Sequence, residues 1–122
     1  MDMKTSTRQV GDVTVVDVSG RISLGEESAA LRDLIRDLLQ KGDRKIVLNL
    51  AHVEYIDSSG LGTLVAAVST ARREGGDMKL ANLTDKVGDL MQVTRLYTVF
   101  EIADDEPSAI KSFSNTAAAG AA

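Results

Sequence analysis

The stretch "KIVLNLAHVEYIDSSGLGTLV", residues 45–65, decides the fold. Its opening, Lys45 to Leu50, is a near-continuous apolar run. Such a run predicts a strand buried on both faces, central in a parallel sheet. "AHVEYID" leads out of it. Leu61, Leu64, Val65 and Val68 then recur at helical spacing and set the apolar stripe of a helix. The chain therefore passes from strand to helix through Asp57-Ser58-Ser59-Gly60, the kind of junction where function gathers in open α/β sheets.

Outward from this unit the alternation continues. "VTVVDV", residues 13–18, is rich in β-branched residues and predicts a strand. A shorter strand ending at Val10 precedes it, turned by Gly11-Asp12. "SLGE", residues 23–26, has capping-box spacing between Ser23 and Glu26. Leu31, Leu34, Ile35, Leu38 and Leu39 follow as one stripe, and Gly42 closes the helix. Gly75-Gly76 ends the second helix, and "MKLANL", residues 78–83, predicts the next strand. Thr84-Asp85 caps a third helix carrying Val87, Leu90 and Met91. "TVFEI", residues 98–102, predicts the last strand. Asp105-Glu106-Pro107 starts a fourth helix, with proline near the first turn and acids at the positive dipole end. Ile110 and Phe113 anchor it. The pattern predicts a single α/β domain over residues 1–113, with a mostly parallel, mixed sheet of about four to five strands, about four helices and an N-terminal strand pair. The Ala-rich tail, residues 114–122, has no anchor large enough to dock and is expected to be disordered.

Composition narrows the function classes. A chain of 122 residues with 43% hydrophobic and 26% charged residues is one globular domain able to bury a core. Aromatics at 3%, with no Trp, argue against a stacking platform for single-stranded nucleic acid. A net charge of -4 does not favour long-range attraction to nucleic acid or anionic lipid. The chain has no Cys, which excludes disulfides and thiolate zinc sites and fits a reducing cytoplasm. No apolar run approaches the roughly 20 residues of a membrane span, and "MDMKTSTRQ" lacks the apolar core of a signal peptide.

The junction itself admits several chemistries. A helix cap, worth roughly 1 kcal/mol, explains one polar side chain but not a cluster of three. Gly60 and Gly62 weaken the first turn by about 1 kcal/mol each relative to Ala, so a gain is expected in return. Close approach of a partner to Ser58 is one such gain; packing of Gly62 against a neighbouring strand is another. A serine nucleophile needs a base. The only His, His52, reads as a partly exposed loop residue. No Gly lies two residues before either serine, so the nucleophile elbow is absent. P-loop and dinucleotide fingerprints are also absent. One His and no Cys make a transition-metal site improbable. Asp57 as a receiver-type phosphoacceptor would want an acidic pair after the first strand, and "VDVSGRIS" has none. No catalytic or metal-binding residue is therefore assigned. A hydroxyl modified by another protein remains. A helix N-terminus suits an anion, and a phosphoserine adds about -1.5 to -2 of charge. The helix tolerates that charge, whereas a close-packed or acidic partner surface does not.

The chain resembles a STAS domain of the bacterial anti-sigma factor antagonist family. The likeness rests on "GRISLGEESAALRDLI", on "KIVLNLAHVEYIDSSGLGTLV" and on "GGDMKLANLTDKVGDLMQVTRLYTVFEI", and runs from about Val10 to Phe113. Its specific part is "IDSSGLG" after "IVLNL". The resemblance implies a binding module rather than an enzyme. Unphosphorylated, it would bind an anti-sigma factor that is also a serine kinase of the histidine-kinase-like ATPase fold, and so release a sigma factor. Phosphorylation, on the first Ser after the Asp, here Ser58, would end the interaction. A metal-dependent serine phosphatase would restore it. The partner-binding surface would hold Asp57, Ser58, Ser59, Gly60, Leu61, Gly62 and Ser23. Ser23 departs from the pattern, standing where many antagonists carry an acid in "G-x-[LI]-D". No cofactor belongs to the chain itself, since ATP and magnesium belong to the kinase. Neither direct nucleic-acid binding nor membrane insertion is expected, and the setting is cytoplasmic. A scaffold or regulatory STAS subunit of a stress-signalling or lipid-transport complex keeps the same surface and changes the partner. An acyl-transfer enzyme using Ser58 is the third reading.

Overall fold

The computed structural model describes residues 3–23 and 26–121. The chain order is β1 (Lys4–Val10), β2 (Val13–Ile22), α1 (Glu26–Gln40), β3 (Lys45–Ile56), α2 (Ser58–Arg73), β4 (Asp77–Ala81), α3 (Asp85–Thr94), a 3-10 turn (Leu96–Thr98), β5 (Glu101–Ala103) and α4 (Glu106–Ala121). The strands form one five-stranded sheet in the order β1-β2-β3-β4-β5. β1 and β2 are antiparallel, and every later pair is parallel. β3 therefore sits in the middle, as its apolar run predicts.

Side-chain alternation divides the core between the two faces of the sheet. Val16, Val18, Ile46, Leu48, Met78 and Leu80 face the helices α1, α2 and α3, which contribute Leu31, Ile35, Leu61, Leu64, Val68, Val87 and Met91. The intervening residues Val13, Val15, Val47 and Ala81 face α4, which contributes Ala109 and Phe113. Thr84 caps α3 by accepting from Val87 N. Asp105 Oδ1 accepts from Ser108 N at 2.8 Å at the start of α4. Both caps fall where the sequence puts them.

The ends of the elements differ from expectation for local reasons. β1 has seven residues, all exposed, and pairs along its whole length with β2. β4 stops at Ala81, because Asn82 adopts a left-handed φ of 57°. The strand expected over 98–102 begins only at Glu101. Arg95 is left-handed, with φ 61°. The N–H groups of Thr98, Val99 and Phe100 then bond back to Arg95 and Leu96, leaving none of them for a ladder. The capping box of Ser23 and Glu26 spans residues 24 and 25, outside the described residues. There the Ser28 hydroxyl donates to the Ser23 carbonyl. α4 continues past Phe113; the disorder expected for 114–122 concerns residues whose side chains are not described, and Ala122 lies outside the described residues altogether.

Polar ties fasten α4 to the sheet. Arg8 on β1 donates to both carboxylate oxygens of Asp17 on β2, at 2.6 and 2.9 Å. It also reaches Glu106 Oε1 at 2.6 Å, which in turn accepts from Asn49 at 3.1 Å. The guanidinium hydrogen bonds hold both carboxyls below their usual range, and they push Arg8 itself up. Further along, Lys79 is 1% exposed. Its ammonium meets Glu101 Oε2 at 2.8 Å, donates to Ser112 Oγ at 2.9 Å and lies 4.5 Å from the centroid of the Phe113 ring. Because Asp17 and Glu106 are depressed in the fold, their contribution is complete above the ordinary carboxylate range, about pH 4 to 5. It is lost as pH falls through their folded values. Arg8→Gln should therefore lower stability by about 1 kcal/mol at pH 7, the scale of partly exposed ion pairs. The gap to wild type should close as the pH is taken below about 4. Urea titrations of both proteins at several pH values measure it; a gap that stays constant into acid would contradict the assignment.

Candidate functional site

β2 and β3 overrun the rest of the sheet. β4 pairs with β3 only from Lys45 to Asn49, while β2 stays paired with β3 as far as Ile56. The register within this overhang slips twice. Asp17 faces Asn49, but Ser19 faces His52; Gly20 faces Val53, but Arg21 faces Tyr55. Each slip places one extra residue in β3, which is a bulge. On the face toward α1, α2 and α3, the buried positions of β3 consequently change from every second residue (46, 48, 50) to every third (53, 56). The overhang ends with Ile22 opposite Ile56, and Asp57 follows at once.

Asp57 is the N-cap of α2. Its backbone is extended, at φ -110° and ψ -177°, and its Oδ1 accepts from Gly60 N at 2.8 Å. Its carbonyl accepts from Leu61 N at 2.9 Å. One carboxylate thus does the capping, which leaves the two serines of the cluster unexplained by it. Ser58 and Ser59 occupy the first two helical positions, and both are exposed. Among the described residues neither hydroxyl is taken up by a hydrogen bond; Ser59 contributes only its carbonyl, to Thr63 Oγ1 at 3.2 Å. Two nucleophilic hydroxyls stand in solvent at a helix start, where free N–H groups and the dipole favour negative charge.

The two glycines exchange the roles expected of them. Gly60 is buried, and a β-carbon there would stand 2.2 Å from the Ile22 carbonyl oxygen and 2.8 Å from Ile56 Cγ1. Its bareness admits the end of β2 rather than a partner. Gly62 is exposed, with nothing within 4 Å of its missing β-carbon. Leu61 is 1% exposed and points into the core, so it offers no side chain to a partner. Gly60 and Leu61, both expected at the partner surface, are thus buried within the domain. The exposed part of the predicted set is Ser58, Ser59 and Gly62, flanked by the half-buried Asp57 and Ser23.

Sequence reasoning missed a feature of the same overhang. The Arg21 guanidinium lies 4.4 Å from the centroid of the Tyr55 ring. Tyr55 precedes Ser58 by three residues in the chain, so this cation–ring pair sits on the same overhang that leads into the serines. The register slips that bring Arg21 opposite Tyr55 leave no signature in the sequence.

Among the described residues, no hydrogen bond ties either serine to a base. His52 is a residue of β3, exposed and paired with Ser19, not a loop residue. It lines an open groove of about 1050 Å³ with Lys4, Ser19, Glu54, Thr84 and Lys86, and neither serine belongs to that lining. Among the described residues no cluster of three or more His, Asp or Glu is placed to hold a metal ion. Among them, too, no helix is long and apolar enough to cross a membrane.

This chain belongs to the STAS domain family, whose pattern it matches over residues 4–109. Its relatives share most of its length. The anti-sigma-B factor antagonist of Bacillus subtilis is 29% identical over 104 residues, covering 84% of this chain and 93% of that protein. A crystal structure from Thermotoga maritima is 28% identical, with a TM-score of 0.80, over 88% of this chain and 92% of that one. The Bacillus cell fate determinant SpoIIAA, solved in its phosphorylated form, has the same fold at 20% identity, with a TM-score of 0.67 over 90% and 99% of the two chains.

The glycine geometry gives opposite expectations for one substitution. Gly60→Ala forces a β-carbon into a backbone carbonyl and should destabilise by about 1–3 kcal/mol, the scale of overpacking. Gly62→Ala meets open space in a helix and should stabilise by up to about 1 kcal/mol. Urea denaturation of the two variants checks the difference in sign.

Proposed function

We propose that this protein is an anti-sigma factor antagonist switched by phosphorylation of Ser58. Unphosphorylated, it binds an anti-sigma factor that is also a serine kinase, and frees a sigma factor. The kinase, using its own ATP and magnesium, phosphorylates Ser58 and ends the interaction; a metal-dependent serine phosphatase reverses it. The chain acts as a binding module and substrate, in the cytoplasm. The observation that carries this reading is the exposed hydroxyl of Ser58, free among the described residues, beside a cap already supplied by Asp57. A side chain that holds nothing in the fold can be modified without undoing it. The names of the relatives, and the phosphorylated state in which SpoIIAA was solved, support the same reading.

Electrostatics give the mechanism. At an exposed helix start an anion gains roughly 0.3–1 kcal/mol, so the phosphate need not melt α2. Asp57 opposes it, but salt screens that repulsion at the surface. A partner docked over the serines must desolvate the phosphate or clash with it. Loss of about 4 kcal/mol corresponds to roughly a thousandfold weaker binding.

Incubation with the kinase and ATP should therefore modify Ser58, read by peptide mass spectrometry, and Ser58→Ala should abolish the modification. Calorimetry should show about a thousandfold loss of affinity for the kinase, with a melting temperature within a few degrees of the unmodified protein. Phosphate on Ser59 alone, or equal affinity in both forms, would refute the switch.

A further inference from the structure

We propose that the β5 edge of the sheet pairs with the same edge of a second copy of this chain. The observation is where the exposed apolar side chains lie. Val93 is 81% exposed, Tyr97 44% and Ile102 40%. They sit within ten residues, on α3, the 3-10 turn and β5, and the turn touches both neighbours. Scattered exposed apolar residues are ordinary, whereas a group on adjoining elements marks a contact surface. β5 is the outer strand on this side, so its far edge has no partner strand among the described residues.

The charges around the group suit a second copy. Arg95 lies between α3 and the turn, near the N-terminal end of β5; Asp104 directly follows its C-terminal end. Both are exposed, and neither forms an ion pair among the described residues. A two-fold axis through Ile102 sets the two β5 strands antiparallel. The N-terminal end of one then meets the C-terminal end of the other, and Arg95 of each copy approaches Asp104 of its mate. An isologous interface requires this self-complementarity. The opposite edge is a poorer candidate. β1 offers only Val10 as an exposed large apolar residue, and it carries Lys4 and Arg8, the kind of charge that blunts an edge.

Three apolar side chains make a small patch beside the roughly 800 Å² per partner of a stable interface. The dimer is accordingly weak, with a dissociation constant on the order of 0.1–1 mM. It leaves the serines open. α3 descends from the C-terminal end of β4 to the N-terminal end of the parallel β5, whereas α2 starts at the C-terminal end of β3. The patch and Ser58 thus lie toward opposite ends of the sheet.

Sedimentation equilibrium of the full chain up to about 1 mM, with amide NMR shifts over the same range, tests the proposal. The expected result is a monomer–dimer equilibrium, with shifts concentrated at Val93, Tyr97 and Ile102. Val93→Lys should weaken it at least about tenfold without changing the melting temperature, since Val93 is on the surface. Arg95→Glu and Asp104→Arg should each weaken it, and their combination should restore it. A monomer at the highest concentration would overturn the proposal. So would a dimer whose shifts fall on β1 and that ignores Val93→Lys, or a charge swap that fails to restore association.

Discussion

The first turn of α2 rests against the carbonyl of Ile22, and the rest of the site depends on that contact. Only a residue without a β-carbon fits, since the nearest approach would be 2.2 Å. With Gly60 seated there, the helix start is located by the end of β2 and not by a flexible connection. Asp57 can then turn its carboxylate back onto Gly60 N, and the Ser58 and Ser59 hydroxyls are left outside the core and, among the described residues, without a hydrogen bond. The same contact explains why β2 and β3 must overrun β4. Without the overhang there would be no Ile22 beneath the helix, and α2 would begin level with the rest of the sheet.

The opposite face of the sheet is closed, among the described side chains, by fewer apolar residues. Among the described side chains, α4 contributes Ala109 and Phe113 as fully buried apolar residues, with Ile110 partly buried beside them. Polar ties make up the difference, through Arg8 at one end and Lys79 further along. Burying an ammonium is expensive unless it is paired and hydrogen-bonded. Lys79 meets that condition with a carboxylate, a hydroxyl and the face of a ring. The three partners come from β5 and α4, so the charge specifies how the last two elements seat on β4.

Residues 45–50 and the stripe of α2 were legible because burial on both faces and helical spacing write different periods into a sequence. The caps Thr84 and Asp105 were legible for the same reason, as polar residues just ahead of a periodic run. The second half of β3 was not. Two bulges changed its buried spacing from two to three, a pattern that reads as the end of a strand. β1, exposed along its length, has no alternation to detect. β5 lost three of its five expected residues, 98 to 100, after the left-handed Arg95, and a single φ angle leaves little trace in the chain. At the site, the polar cluster was plain, but its division of labour was not. Which of Asp57, Ser58 and Ser59 caps the helix, and which glycine is pressed against backbone, depends on contacts with β2 that are remote in sequence. Lys79 was equally invisible, since nothing local distinguishes a lysine pointing beneath α4 from one in water.

The placement of the aromatic residues has an optical consequence. The chain has no Trp and only two Tyr. Neither is in the core: Tyr55 is 38% exposed under Arg21 on the overhang that leads into the serines, and Tyr97 is 44% exposed beside the β5 edge. Their intrinsic emission therefore reports little of the buried packing. It provides a native, label-free probe at each of two surfaces. Replacing either Tyr by Phe would silence one end of the molecule and leave the other to be watched alone.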